Sequence, residues 1–351
     1  MMQLDDLLAK NSEWLKGEGP RSNIVISTRL RIARNIDGFS FPHWADNKVK
    51  EEIFEKIFSA LRENIFLKES LFLRLKDVPA MDRDFLVERH LMSKEHAKDL
   101  EGKGLVVDSR EIISIMVNEE DHLRSQVIMS GFNLAETWRM VDSLDTEIGK
   151  KLKYAYSSRF GYLTSCPTNT GTGLRASLMM HLPALEMTGQ IENVYEAISK
   201  LGLTIRGFYG EGSEAEGNFY QISNQVSLGH SEIDILNGIE KVINKIIDRE
   251  EETRRYLLDK KKRETTDGIF RSFGTLKNAR IITSRELVKL LSSVRMGIDL
   301  KVIDGLRLQT VNEMLLFMQP AHLQKKHNVK LDSSERDIKR ADLVREKLGE
   351  K

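Results

Sequence analysis

Residues 24–35 read IVISTRLRIARN. The β-branched run IVIST (24–28) predicts a strand, and RLRIARN follows it directly, which sets Arg29 and Arg31 at the strand's end. Downstream, VKEEIFEKIFSALRENIF (49–66) places Ile53, Ile57, Ala60 and Leu61 on one side of a helix facing the core. In VVDSREIISIMVNEEDHLR (106–124) the apolar run ISIMV turns abruptly to charge, the pattern of a buried strand delivering its end to a site.

Between 154 and 229 the texture changes to short strands and glycine-containing polar loops, which commonly carry function. GIEKVINKIIDREEETRRYLLDKKKRE (238–264) aligns Ile239, Val242, Ile243, Ile246 and Ile247 in a stripe and then becomes heavily charged, as expected of a long helix closing a first domain. From about 270 the pattern is helical, with SRELVKLLSSVRMGI, LQTVNEMLLFM and SERDIKRADLVREKL separated by Gly305 and Pro320. The expected organisation is an N-terminal extension over 1–23, an α+β catalytic unit over 24–254 and an all-helical region over 255–351.

At 351 residues the chain exceeds one ordinary core, in keeping with two domains. Its net charge of +1 gives no bulk attraction to nucleic acid or an acidic membrane, so anion binding must come from local clusters of basic residues. The start, MMQLDDLLAKNSEW, is acidic where a signal peptide is basic, and no apolar run approaches the length of a membrane span. A cytoplasmic protein is expected. Cys166 is the single cysteine, which excludes intramolecular disulfides and zinc-cluster motifs.

The placement of arginines is the most informative feature. Arg29, Arg31, Arg124, Arg175 and Arg206 each sit at a strand end or in a loop. Taken singly, each reads as a solvated surface group; converging, they would repel one another unless a polyanion held them, and the guanidinium fork suits phosphate. Paired acids are the second feature: Glu119 and Glu120 after ISIMVN, and Glu211 in GEGSEAEG. A guanidinium substrate, with a pKa above about 12, needs carboxylates to align it and take its proton, although Glu119 and Glu120 also suit a polar strand terminus. Three glutamates between the glycines of GEGSEAEG argue against a dinucleotide loop, and no Walker lysine follows. Cys166 beside arginines could be a thiolate or a small buried hydrophobe. His90 could stack on an adenine ring or cap a helix.

STRLRIARN, NEEDHLR, GYLTSCPTNTGTGLRAS and RGFYGEGSEAEGNFYQISN resemble, in order and spacing, the motifs of the phosphagen (ATP:guanido) kinases over about residues 24–254. The resemblance implies an antiparallel sheet flanked by helices, ATP and Mg2+ as cofactors, and phosphate contacts from Arg29, Arg31, Arg124, Arg175 and Arg206. The adenine-packing histidine corresponds to His90. The nucleotide-lining segments correspond to Ser27, Thr28, Arg29, Leu30 and Arg31; to Arg175, Ala176, Ser177, Leu178 and Met179; and to Arg206, Gly207, Phe208, Tyr209, Gly210 and Glu211. Glu120 and Glu211 match the carboxylates that clamp the guanidinium, Cys166 the thiol on that side. Glu119 would approach Mg2+ only through water, with no metal ligated directly by protein.

Departures from the small-guanidine kinases narrow the expected substrate. Those enzymes carry a helical domain ahead of the STRLR strand, where 26 residues precede Ser27 here; they place a further arginine where this chain has Tyr209, and GEHT where it has GEGS. With its helical C-terminal region, the chain resembles throughout the bacterial protein arginine kinases. In their RDxxRA motif, here Arg336, Asp337, Arg340 and Ala341, phosphoarginine binds; an exposed charged helix face is the plainer reading. The resemblance further implies protein substrates presenting arginine, a zinc-binding activator, a heat-shock repressor as substrate and a Clp protease downstream, with a homodimer possible and no nucleic acid or membrane partner. A kinase of free guanidino metabolites and a catalytically dead phosphoarginine-binding adaptor are the alternatives.

Overall fold

The computed structural model describes residues 3–207 and 216–349. The fold is α+β. Ten strands are described: β1 Val25–Arg34, β2 Leu71–Arg74, β3 Gly104–Val107, β4 Ile113–Val117, β5 Leu123–Ser130, β6 Tyr156–Ser157, β7 Gly161–Tyr162, β8 Leu174–His181, β9 Leu203–Gly207 and β10 Phe219–Asn224. Eight of them form one sheet in the order β2-β3-β4-β5-β1-β8-β10-β9, antiparallel at every step, and β6 and β7 make a separate ribbon. The strand read at 24–28 is β1, which continues to Arg34 in the middle of the sheet.

Alternation along β1 divides its residues between two faces. Leu30 and Ile32 enter the main core, with Ala176 and Leu178 of β8 beside them. Helices cover that face. Asn47–Arg62 begins where the Asp46 carboxylate accepts from the Val49 amide at 2.9 Å, and it buries Ile53, Phe54, Ile57, Phe58 and Leu61. Helix Glu232–Lys260 opens on a capping box between Ser231 and Asp234 and buries Ile239, Ile243, Ile246 and Ile247, the stripe legible in the sequence, with Val242 half-buried at its margin.

Arg29 and Arg31 stand on the other face of β1. Beyond the arginines that face turns apolar, and Ile26, Ile128, Met179 and Phe219 join a second core with Trp14, Leu15 and the C-terminal helices. Those helices run over Lys262–Asn278, Ser284–Asp299, Leu308–Phe317, Pro320–His327 and Ser333–Gly349. Pro320, expected to separate two helices, occupies the first turn of one, where its missing N–H costs nothing. No helix among the described residues is long and apolar enough to cross a membrane.

Candidate active site

Strand register gathers the basic residues. Arg31 of β1 pairs with Arg175 of β8, Ala33 with Arg124 of β5, and Arg29 with Ser177; Gln221 of β10 pairs with Arg206 of β9 and Met179 of β8. Because residues two apart share a face, Arg29, Arg31, Arg124, Arg175 and Arg206 all line one cleft of about 800 Å³. Distant segments of sequence thus meet as neighbouring strands.

The cleft is electrostatically incomplete. Burial, then the charges of Arg124 and Arg175, push the Arg29 guanidinium down to about 10. Burial and the charges of Arg29, Arg124 and Arg175 drive Arg31 well below the usual arginine range, with Glu119 opposing, and Arg31 Nε is buried without a hydrogen-bond partner among the described residues. A triphosphate would bring negative charge and an acceptor for Arg31 Nε. Neutral side chains hold the guanidinium groups: Arg29 Nη2 donates to Gln221 Oε1 at 2.9 Å, and Arg175 Nη2 to Ser223 Oγ at 3.2 Å. Neither Gln221 nor Ser223 stood out in the sequence, because only the pairing of β8 with β10 brings them there.

The two adjacent glutamates part company. Although burial opposes ionisation, the Arg124 charge and hydrogen bonds from Ser93 and Arg124 hold the Glu119 carboxyl down at about 2; Ser93 Oγ donates to its Oε1 at 2.5 Å. Glu120 moves upward, from burial first and then the charges of Asp121 and Glu119, partly offset by Arg124 and a hydrogen bond with Cys166. Cys166 also meets Thr168 Oγ1 at 3.0 Å. Asp121 fixes this wall: its Oδ1 accepts from Asn35 Nδ2 at 2.6 Å and from the Ser165 amide at 2.7 Å. A carboxylate that resists ionisation, in contact with a thiol, suits a group that must collect a proton from a cation.

At the other end lies His90, with φ +60 and its ring edge-on to Trp14 at 5.3 Å between centroids. Burial and the charges of Arg29 and His322 hold it neutral, near 3, and Gln126 Nε2 donates to its carbonyl at 2.8 Å. Ser27 and Met179 border a narrow space beside His90 and Trp14. Thr28, Leu30, Ala176 and Leu178 project away from the cleft, and Gly207 offers only backbone, paired with Tyr220. Phe208, Tyr209, Gly210 and Glu211 lie outside the described residues.

The C-terminal region completes the wall with Leu315, Leu316 and Gln319. Glu88 joins it to the cleft, accepting from the amides of Ala321 and His322 at 2.8 and 3.0 Å and meeting His322 Nδ1 at 2.8 Å. In the RDxxRA segment, Arg340 is buried; it donates to Met318 O at 2.9 Å and Ile282 O at 2.8 Å and pairs with Asp337. Arg336 donates to Leu331 O at 2.8 Å, and Ala341 is buried in the second core.

A polyanion cradle opposite a carboxylate and thiol, on an antiparallel sheet, defines a phosphotransferase that works on a cationic acceptor. Residues 51–253 match the family model "ATP:guanido phosphotransferase, C-terminal catalytic domain", and residues 262–351 match "Protein-arginine kinase McsB C-terminal domain". The chain is 46% identical over 349 residues to the protein-arginine kinase of Halothermothrix orenii, covering 99% of this chain and 100% of that one. It is 43% identical over 339 residues to that of Bacillus subtilis, covering 96% and 93%. Among solved structures, a lombricine kinase superposes with a TM-score of 0.60 at 26% identity over 71% of this chain and 70% of that one. The duplicated taurocyamine kinase of Schistosoma mansoni, with bound transition state analog components, gives 0.62 at 29% identity over 70% of this chain and 35% of that one. The chain belongs to the ATP:guanido phosphotransferase family, in its protein-arginine kinase branch, and is accordingly an ATP-dependent phosphotransferase.

Proposed function

We propose that the enzyme transfers the γ-phosphate of ATP to the guanidinium of arginine residues in proteins. The observation that carries this reading is the cleft itself, where five arginines face a carboxylate, Glu120, whose pKa is raised and whose neighbour is Cys166.

Arg29, Arg31, Arg124, Arg175 and Arg206 bind the phosphates and offset the charge that builds on the transferring group. Glu119 is already engaged by Arg124 and Ser93, so Mg2+ would be carried by the nucleotide rather than by a protein carboxylate and would supply charge neutralisation there. Glu120, with Glu211 as its partner by family resemblance, aligns the acceptor and takes the proton released as its nitrogen bonds to phosphorus. Cys166 orients the same cation. The Asp337–Arg340 segment binds the phosphoarginine product and tunes activity.

Family resemblance alone supports the wider setting: a cytoplasmic enzyme, stimulated by a zinc-binding activator, which inactivates a heat-shock repressor and marks proteins for a Clp protease. The test is to incubate the enzyme with ATP and either a protein or free arginine, then map acid-labile phosphate by mass spectrometry. Phosphate on protein arginine is the expected result; turnover confined to free arginine would overturn the reading.

A further inference from the structure

The chain entering β10 is held by the C-terminal region. Arg285, in the first turn of helix Ser284–Asp299, donates from Nε to Glu216 Oε1 at 2.6 Å. One turn on, Val288 covers Gly217, whose φ is +64 and where an added Cβ would lie 2.6 Å from Val288 Cγ1 and 2.7 Å from its carbonyl oxygen. A further turn on, Ser292 Oγ accepts from Asn218 Nδ2 at 3.3 Å and bonds His181 Nε2 at 2.9 Å. Residues 285, 288 and 292 form one helical stripe, met in order by three consecutive residues, 216, 217 and 218.

These contacts sit immediately before Phe219, where β10 begins. Two and four residues later, Gln221 and Ser223 accept from Arg29 and Arg175. On either side of residues 208–215, Gly207 is held by pairing with Tyr220 and Glu216 by the helix. The start of the same helix is fixed by the RDxxRA segment, since Ile282 O accepts from Arg340 and the Ile282 amide donates to Asp337 O at 3.2 Å.

The geometry points to Arg285, supported by Val288 and Ser292, as a positioning residue for phosphoryl transfer, through which the C-terminal region sets the placement of β10 and its arginine-orienting side chains. This rests on the phosphotransferase reading of the cleft. Arg285 is not among the residues lining the cleft, and 61% of its side chain is exposed, so its removal leaves the core intact.

The experiment compares full-length R285A, R285K, E216A and R285A/E216A with R271A, which removes an exposed ion pair to Asp267 on the neighbouring helix. Protein-arginine phosphorylation, nucleotide affinity and Tm are measured for each. R285A is expected to lower kcat at least about tenfold, the scale of a small misplacement, with nucleotide affinity and Tm near wild type. R285K retains most activity, the double variant is no worse than the poorer single one, and R271A is unchanged. Hydrogen exchange of the Phe219–Asn224 amides, independent of any acceptor, should accelerate in R285A but not in R271A. Normal kcat with normal exchange in R285A, additive losses in the double variant, or a loss that merely tracks Tm overturns the inference. Wild-type enzyme inactive on proteins would instead overturn the proposed function, leaving the exchange result to decide this one.

Discussion

Arg31 and Arg175 face each other across the pairing of β1 with β8, and both reach into the same cleft. Two cations in register are a liability without an anion, since burial and three neighbouring arginines already depress Arg31. Arg31→Met should therefore raise the Tm of the nucleotide-free protein by a few degrees, about 1 kcal/mol, while abolishing the further rise that ATP gives wild type. Thermal melts with and without nucleotide check both signs.

The adjacent glutamates should separate in a pH profile. Glu119, held near 2, stays ionised through the accessible range, whereas Glu120 ionises above the ordinary glutamate value. If Glu120 is the base, its active form is the carboxylate, so kcat rises with pH through that raised pKa and falls as acid protonates it. His90, neutral above about 3, cannot supply this limb. Glu120→Gln should remove the pH dependence along with about 100-fold or more of the rate, with ATP binding spared; a persisting acid limb in that variant would assign the proton elsewhere.

Glu88 illustrates what non-local geometry adds. It caps helix Pro320–His327 from 233 residues away. Glu88→Ala strands two helix amides and should cost about 1–3 kcal/mol in chemical denaturation, with weaker nucleotide binding because Leu315, Leu316 and Gln319 lose their support. Unchanged stability would show that the cap contributes nothing.

For the RDxxRA segment the structure selects the informative variant. Arg340→Ala leaves the carbonyls of Met318 and Ile282 short of a donor and should lower Tm whatever its role in binding. Asp337→Asn keeps an acceptor for Arg340 but removes the charge a phosphoarginine guanidinium would meet. Calorimetry should find phosphoarginine binding lost in Asp337→Asn at near-native Tm; undiminished affinity would leave this segment a structural joint.

Local signals made β1, β4 and the two amphipathic helices at 47–62 and 232–260 legible, because hydrophobic period and capping residues are properties of short stretches. The arginines were legible through residue type and motif spacing. Gln221, Ser223, Gln126 and Asp121, which orient the cleft's working groups, were not, since an isolated glutamine or serine carries no sign of the strand opposite it. Leu315, Leu316 and Gln319 were hidden for a stronger reason: in sequence they read as core of a separate helical region, and only tertiary packing turns one edge of that region toward the cleft.

The apolar end of the arginine-bearing face, at Ile26, Ile128, Met179 and Phe219, makes the chain indivisible as a folding unit. Among the described residues these side chains pack with Trp14, Leu15 and the C-terminal helices, with the His181 ring stacked on Phe219, so a fragment ending near residue 254 would expose much of this apolar surface to water and also interrupt helix Glu232–Lys260. The two regions matched by separate family models should therefore melt in one cooperative transition. Loss of the C-terminal region would demand matching polar changes on the sheet at Ile26, Ile128, Met179 and Phe219.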